Sequence, residues 1–207
     1  ELEAMGSRAR AIWRGKVVGF IELQVPGHHN LLNAAAVLAT GLNLGFPAPE
    51  LLTGLAVFRG TGRRFELIGT VHGIRVIDDY GHHPTEIDVT LKAARRFAGD
   101  GRLIVIFQPH RYSRTKAFSA HFAKALDVAD RAIVLEVYAA SEKPIAGVTS
   151  RLITDAMNHG EYIPNFIEVT DSVIDTARPQ DVIITLGAGD VSSLAPIIVD
   201  GLSRRFG

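Results

Sequence analysis

The sequence predicts an α/β fold in which a mostly parallel sheet carries helices on both faces and is preceded by a β-hairpin and two helices. From about residue 65 onwards, short apolar runs alternate with helical stretches, an order typical of doubly wound sheets. These runs are apolar throughout rather than at every second position, which indicates strands covered on both faces. The earlier segment lacks this alternation, so we expect a boundary near Gly60–Arg63.

The N-terminal segment reads as a hairpin followed by two helices. The predicted strands are Ser7–Trp13 and Val17–Val25, and the predicted helices are Asn30–Gly45 and Pro49–Phe58. The tight turn at Arg14–Lys16 joins two strand-like runs, as in a β-hairpin. Asn30 is a residue type that caps helix starts, and Gly45 is one that follows helix ends.

The C-terminal segment supplies the main sheet. Its predicted strands are Phe65–Val71, Ile74–Asp78, Leu103–Phe107, Ala132–Val137, Asn165–Val169 and Asp181–Leu186. Its predicted helices are Pro84–Ala98, Thr115–Leu126, Ser150–His159, Asp171–Ala177 and Ser192–Phe206. The first two strands are expected to form a hairpin around His72-Gly73.

The composition excludes several classes of protein. The 207 residues include 22 basic and 22 acidic side chains, so no global field favours a nucleic-acid or membrane partner. The absence of cysteine excludes disulfides and thiol chemistry. There is neither a secretory leader nor an apolar run of about 20 residues, so a cytoplasmic location is expected. The chain starts without methionine and enters a strand almost at once, which suggests a fragment.

Polar side chains follow four of the predicted strands directly. The loops after Asp78, Phe107, Val137 and Leu186 read "DYGHHP", "QPHRYSR", "YAASEKP" and "GAGD". In parallel sheets the carboxyl ends of the strands meet at one edge, where ligands bind. The sequence therefore predicts a ligand site built from these loops.

The loop after Phe107 places two arginines near the start of a helix. His110, Arg111 and Arg114 would form a clamp for a carboxylate or phosphate, because helix N-termini and guanidinium groups both attract anions. The alternative is a solvated loop with one internal salt bridge.

The loop after Asp78 combines acidic, aromatic and imidazole groups. Asp79 would accept hydrogen bonds from ribose hydroxyls, and His82 and His83 would orient a phosphate. Neighbouring histidines diverge and no third ligand is evident, so no metal site is predicted. The alternative is a helix-cap cluster, which explains Pro84 and Glu86 but not the other side chains.

Three weaker motifs remain. Asn30 and Asn33 lie one helical turn apart and could match the adenine edge, although capping explains Asn30 equally simply. Arg63 and Arg64 follow two glycines and suit either polyphosphate or a solvated linker. The "GAGD" run is half of a dinucleotide fingerprint, without the third glycine and the ribose acid, and is discounted as a nicotinamide site.

Together, the motifs resemble the Mur ligase family over about Val17 to Leu202. In order they read "PGHHNLLNAAAVLATGLNLG", "GTGRRFE", "VIDDYGHHPTEI", "FQPHRYSRT", "VYAASE" and "LGAGD". The match is strongest to the member that adds L-alanine to UDP-N-acetylmuramate. The resemblance implies that ATP phosphorylates the muramoyl carboxylate, that L-alanine attacks the acyl phosphate, and that Mg²⁺ assists. Another Mur-type amino-acid ligase, or a dinucleotide-binding module, stays open as an alternative.

The resemblance also implies a domain organisation. Residues 1–61 would be the tail of a central ATPase-type domain, and residues 62–207 a Rossmann-like C-terminal domain. No G-x-x-x-x-G-K-[ST] loop occurs in the sequence, so the phosphate-cradling lysine is missing. The chain alone is expected to fold without turning over, with N-terminal domains of the same protein as its partners.

The resemblance assigns roles residue by residue. It implies ATP binding by Asn30, Asn33, Arg64, Asp79 and Tyr80. It implies catalytic roles for His82, Arg111 and Arg114. It implies substrate binding by His83, His110, Arg111, Arg114, Tyr138 and Asp190. The small residues after Tyr138 are consistent with alanine as the incoming amino acid, because relatives that add larger amino acids carry a charged motif there.

Overall fold

The computed structural model describes residues 6–58 and 61–207, so the predictions for residues 1–5, Arg59 and Gly60 lie outside the described residues. The chain divides into two compact units, Glu1–Thr61 and Gly62–Gly207. Among the described residues, the helices are all too short or too polar to span a membrane.

The first unit is a hairpin packed against two helices. Its elements are β1 (Ser7–Trp13), β2 (Lys16–Leu23), α1 (His28–Asn43) and α2 (Ala48–Ala56). The strands pair antiparallel, which confirms the predicted hairpin. Arg14 and Gly15 form its turn with φ of 47° and 78°, the left-handed pair that tight hairpins require. Leu31 and Leu38 of α1 pack with Ile21 in a small apolar core.

The prediction that Asn30 caps α1 is wrong. The helix starts at His28, after Gly27, which has φ 107°. A glycine adopts that conformation without strain, so the chain turns into the helix before Asn30 is reached. Asn30 lies in the first turn, where its Nδ2 donates to the Pro26 carbonyl at 2.8 Å.

The second unit contains a six-stranded sheet, which confirms the predicted fold class. Its strands are β3 (Glu66–Val71), β4 (Ile74–Asp79), β5 (Leu103–Phe107), β6 (Arg131–Val134), β7 (Gly160–Tyr162) and β8 (Val182–Leu186). Its helices are α3 (Pro84–Ala98), α4 (Tyr112–Leu126), α5 (Arg151–Thr154), α6 (Phe166–Thr176) and α7 (Leu194–Phe206), with a 3-10 turn at Asp190–Ser193. The strand order is β3-β4-β8-β5-β6-β7, and only β3 among them runs antiparallel to its neighbour.

Apolar cores lie on both faces of this sheet. On one face, Leu91 of α3 and Phe122 of α4 pack against Phe107. On the other face, residues of α6 and α7 such as Val173 and Ile198 cover the sheet. Strands β5 and β8 are buried at every position, which explains why their sequences are apolar throughout.

The prediction of a strand over Asn165–Val169 is wrong, because this segment starts helix α6. Asn165 is the N-cap, and its Oδ1 accepts from the amides of Ile167 at 2.8 Å and Glu168 at 3.3 Å. Val169 and Val173, four residues apart, are buried on the same helix face. The cap and this spacing outweigh the strand propensity of the β-branched residues. The sheet edge is formed instead by the short β7.

The N-cap gives a test of this assignment. Asn165→Ala should lower the free energy of unfolding by about 1 kcal/mol, because two amides at the helix start lose their acceptor. Asn165→Asp keeps an oxygen acceptor at that position, so its free energy of unfolding should stay close to that of the parent chain. Urea unfolding followed by circular dichroism measures both variants, and an equal loss in the two would contradict the cap.

Candidate functional site

The four polar loops lie together, as the sequence predicts. Strands β4, β8, β5 and β6 are neighbours and run parallel, so their carboxyl ends share one edge. The rings of His82 and His110 lie 5.7 Å apart between centroids, and His110 stacks on Tyr138 at 5.6 Å. Gln108 Nε2 donates to Asp190 Oδ1 at 2.6 Å, which links the loops after β5 and β8. The carboxyl edge is therefore a single polar surface.

Asp79 stabilises the loop after β4. Its Oδ1 accepts from the Gly81 amide at 2.8 Å and from the Thr90 hydroxyl at 3.3 Å, and its Oδ2 accepts from the Phe65 amide at 2.9 Å. Burial raises the pKa of Asp79, although these donors and Arg64 oppose that rise. With 4% of its surface exposed, Asp79 faces inward. A direct contact of Asp79 with ribose stays a prediction, and the observed bonds give it a loop-positioning role.

His83 and Glu86 form the start of helix α3. The His83 ring accepts from the Thr85 amide at 3.4 Å, and Glu86 Oε2 accepts from the amides of His82 and His83 at 3.1 and 3.2 Å. Burial works against ionisation of Glu86, but these amides and the nearby His82 and Arg64 lower its pKa overall. The alternative explanation of a helix-cap cluster thus accounts for His83 as well as for Glu86. Substrate binding by His83 stays a prediction.

His82 is held so that one ring nitrogen is uncommitted. Its Nδ1 lies 3.1 Å from the Tyr80 carbonyl, which only accepts hydrogen bonds, so Nδ1 carries the proton. Glu86 Oε2 lies 3.5 Å from the same nitrogen. Within the described ranges no hydrogen bond to Nε2 of His82 is present, so this nitrogen is available to a ligand.

His110 and Arg114 form a second pair on this edge. Arg114 donates to His110 Nδ1 at 3.1 Å and to its carbonyl at 3.3 Å. A guanidinium has only donors, so Nδ1 is unprotonated and the neutral ring carries its proton on Nε2. Burial and the charges of Arg114, His82 and Arg111 lower the pKa of His110. The loop therefore keeps His110 neutral beside two cations.

Arg111 begins helix α4 with φ 74°, a left-handed conformation that is uncommon outside glycine. Its amide donates to the Tyr138 carbonyl at 2.8 Å, which fixes the backbone. Its side chain is exposed and, in the part of the chain that the structure describes, forms no hydrogen bond or ion pair. This guanidinium is available to an external anion.

The amide at the start of α4 is already occupied. Glu142 accepts from the Ser113 amide at 2.9 Å and from the Ser113 hydroxyl at 2.6 Å. These bonds lower the pKa of Glu142. The sequence-based expectation of a clamp that combines helix amides with arginines needs correction here, because an internal carboxylate takes the place of a ligand at Ser113.

Gln108 is a site residue that the sequence analysis missed. It is 5% exposed, and its Oε1 accepts from the Val191 amide at 3.1 Å while its Nε2 binds Asp190. A polar residue directly after a wholly apolar strand was the available signal. Substrate binding by Asp190 stays a prediction, because the structure shows its carboxylate bound to Gln108.

The two adjacent arginines before β3 have different environments. Arg63 Nε donates to Asp78 Oδ2 at 3.0 Å, and its Nη2 donates to the carbonyls of Gly187 at 2.6 Å and Gly189 at 3.3 Å. Asp78 is 2% exposed and the Arg63 side chain is 29% exposed, so the carboxylate is buried and the guanidinium is partly buried. Arg64 is exposed, with its guanidinium 5.3 Å from the centroid of the Tyr80 ring. Arg63 anchors the segment, and Arg64 is the arginine that faces outward.

The remaining predicted residues divide between the two units. Asn30 and Asn33 lie on α1 of the first unit, where Asn33 is exposed, and their contact with adenine stays a prediction. In residues 6–58 and 61–207 there is no group of three or more His, Asp or Glu side chains that could hold a metal ion.

Comparison with known proteins identifies the family. Residues 63–189, more than half of the chain, match the family model for the Mur ligase glutamate ligase domain. The chain belongs to the Mur ligase family. The matched region of this Mur ligase chain contains three of the polar loops of the carboxyl edge and the fourth as far as Gly189.

Individual relatives carry more specific names. UDP-N-acetylmuramate–L-alanine ligase of Paenarthrobacter aurescens is 51% identical over 182 residues, which cover 88% of this chain and 40% of that protein. The enzyme of the same name from Acidothermus cellulolyticus is 47% identical, with 99% of this chain and 44% of that protein covered. The crystal structure of UDP-N-acetylmuramate–alanine ligase MurC from Thermotoga maritima aligns with a TM-score of 0.84 at 30% identity, covering 99% of this chain and 44% of its own. The Mur ligase chain described here spans less than half the length of these relatives.

The two arginines give a matched test of the buried pair. Arg63→Ala should lower the free energy of unfolding by roughly 3 kcal/mol, because Asp78 stays buried without its counter-charge. Arg64→Ala removes an exposed side chain and should change the free energy of unfolding by less than about 0.5 kcal/mol. Adding Asp78→Asn to Arg63→Ala should recover part of the loss. Equal losses in the two single variants, measured by chemical denaturation, would show that Arg63 is not an anchor.

The pKa of His110 provides a second test. Its imidazole should titrate below the ordinary histidine value of about 6.5 in an NMR titration. Because the unfolded chain then takes up this proton first, His110 should reduce stability as the pH falls through about 6.5. Arg114→Gln removes a neighbouring cation and should raise the pKa of His110, whereas Arg96→Gln on α3 should leave it unchanged. A fall, or no change, after Arg114→Gln would contradict the observed pairing.

Proposed function

We propose that this chain is part of a cytoplasmic, ATP-dependent ligase that joins L-alanine to UDP-N-acetylmuramate in peptidoglycan precursor synthesis. Residues 62–207 would be its C-terminal domain and residues 1–61 the end of its central ATP-binding domain. The names of the relatives support the joining of L-alanine to UDP-N-acetylmuramate. ATP as co-substrate and Mg²⁺ as cofactor of the whole protein are part of the proposal. The observation that carries the proposal is a pair of guanidinium groups on the carboxyl edge, neither of which forms an ion pair with a carboxylate in the described part of the chain.

The arginines of this edge are placed so that they can bind an external anion. In the described part of the chain, Arg111 forms no ion pair, and the side-chain acceptor of Arg114 is the neutral His110. The acidic groups nearby are engaged elsewhere: Glu142 with Ser113, and Asp190 with Gln108. Each of the three substrates of the proposed reaction carries a carboxylate or phosphate group, and these are the groups that paired guanidiniums bind best.

The geometry suits positioning and charge stabilisation in the proposed chemistry. The muramoyl carboxylate attacks the terminal phosphorus of ATP, so that a C–O–P linkage forms and ADP leaves. The amine of L-alanine then attacks the carbonyl carbon, the C–O bond to phosphate breaks, and the amine gives up a proton. Arg111 and Arg114 would hold a substrate carboxylate and the charge that develops on oxygen, and Nε2 of His82 would face the phosphoryl end.

The nucleotide would approach from the side of Tyr80 and Arg64. Tyr80 is partly exposed, and its amide donates to the Arg63 carbonyl at 2.7 Å. Arg64 lies over the same ring, so its charge is fixed near the end of β4. These contacts support a phosphate contact for Arg64 and a nucleotide contact for Tyr80. Asp79 would act by holding the loop that carries Tyr80.

The dinucleotide-binding alternative receives no support from the "GAGD" loop. The carbonyls of Gly187 and Gly189 accept from Arg63, which fixes the loop internally. A Cβ at Gly189 would lie 2.4 Å from Gln108 Oε1 and 2.7 Å from the Tyr138 ring. The glycine is therefore required by protein packing, and its presence is explained without a cofactor pyrophosphate.

The experiment uses the full-length protein, assayed for phosphate release from ATP with UDP-N-acetylmuramate and L-alanine. Arg114→Ala should lower kcat or raise the KM for L-alanine by about tenfold or more, equivalent to roughly 1.4 kcal/mol. Arg96→Ala, an exposed arginine on α3, serves as the matched control and should behave as the parent enzyme. Parent-like kinetics of Arg114→Ala would contradict the site, and a full-length protein without substrate-dependent phosphate release would contradict the function.

A further inference from the structure

We infer that Glu142 is a positioning residue that fixes the start of helix α4, so that Arg111 and Arg114 are directed towards a substrate anion. This inference rests on the proposed function, because it assigns those arginines to substrate carboxylates. Glu142 lies in the "YAASEKP" loop that the sequence predicts at the ligand edge, but no role is assigned to this residue there. It lies 29 residues from the serine that it binds.

The first argument comes from the cap of α4. Helix starts leave amides without intrahelical acceptors, and the cap residue normally supplies one from its side chain. Arg111, the N-cap of α4, makes no side-chain cap bond. Glu142 replaces it from the loop after β6, with one oxygen on the Ser113 amide at 2.9 Å and the other on the Ser113 hydroxyl at 2.6 Å. The capping carboxylate of helix α4 therefore comes from a different loop of the same chain.

The second argument comes from backbone strain. Ala140 and Ser141, which precede Glu142, have left-handed φ of 48° and 72°, and Arg111 has φ 74°. Such conformations outside glycine are unfavourable and persist where the surroundings impose them. Hydrogen bonds hold the turn between Tyr138 and Glu142 at both ends. The Tyr138 amide donates to the Pro109 carbonyl at 2.8 Å, and the Glu142 carboxylate accepts from the Ser113 amide. Hydrogen bonds therefore join two strained segments at the candidate site, the turn before Glu142 and the backbone at Arg111.

The third argument is electrostatic. Two cations at a helix start are unfavourable unless an anion compensates the helix dipole. Glu142 provides that charge while both of its oxygens bind Ser113. Its hydrogen bonds from Ser113 and the nearby charge of Arg111 lower its pKa, which keeps it ionised. In the described part of the chain neither arginine donates a hydrogen bond to Glu142, so Glu142 leaves their donors available to substrate.

Loss of this carboxylate has a specific expected consequence. Without Glu142, the Ser113 amide becomes a competing anion site, and Arg111 loses the support that fixes its backbone. A substrate carboxylate would then be held in the wrong place or less tightly. The contacts of ATP with the loop after β4 do not involve Glu142, so ATP binding should be spared. A cap with a purely structural role would affect all substrates alike.

The kinetic test compares four variants of the full-length enzyme. Glu142→Ala should raise the KM for L-alanine, for UDP-N-acetylmuramate or for both by about tenfold, with the KM for ATP changed by less than about twofold. Glu142→Gln retains one acceptor for Ser113 and should show a smaller rise. Ser113→Ala keeps the amide contact and should also be intermediate. Glu168→Ala, an exposed acid in the first turn of α6, is the control and should match the parent enzyme. A parallel rise in all three KM values, or none, overturns the inference.

A spectroscopic readout separates this inference from the proposed function. In the 207-residue chain, Glu142→Ala should shift the side-chain Nε–Hε resonances of Arg111 and Arg114, and Glu168→Ala should leave them in place. If the full-length protein shows no ligase activity, the proposed function fails while a shift still supports positioning by Glu142. Unchanged arginine resonances in Glu142→Ala refute the positioning role whatever the activity.

Discussion

The buried ion pair between Arg63 and Asp78 is the contact on which the carboxyl edge of the sheet depends. Asp78 is the penultimate residue of strand β4 and has 2% of its surface exposed, so its charge needs a partner inside the protein. Arg63 supplies that charge, and the Thr185 hydroxyl of β8 donates a further bond at 2.6 Å. The same guanidinium reaches the carbonyls of Gly187 and Gly189. One side chain therefore joins the segment before β3, the end of β4 and the loop after β8.

Around this pair, the acidic and basic groups of the edge have separate tasks. The carboxylates of Asp79, Glu86 and Glu142 accept from backbone amides and fix loops or helix starts. Arg64 and Arg111 face outward, without ion pairs in the described part of the chain. A parallel sheet brings these groups together because its strands all end at one edge. The carboxylates thus fix the loops and helix starts of this edge, whereas the guanidinium groups of Arg64 and Arg111 are exposed to solvent.

Most of the fold follows from local sequence patterns. Strand β5 and helix α3 have the predicted bounds, because β5 is apolar throughout and Pro84 marks the first helical residue. The segment after Asn165 was misassigned because its β-branched residues suit a strand, whereas the decisive cap bond depends on the fold. The site was predicted less completely. Arg63 and Arg64 are adjacent and chemically identical in the sequence. Only the tertiary contacts distinguish Arg63, which pairs with Asp78, from the exposed Arg64.

The packing at Gly189 has a consequence for how loops of this edge can vary. Although Gly189 belongs to a surface loop, a Cβ at this position would collide with Gln108 and with the Tyr138 ring. A mutation that adds one methyl group there would therefore disturb the loops after β5, β6 and β8 together. Evolutionary change at this rim is thus restricted even at a position that has no side chain of its own.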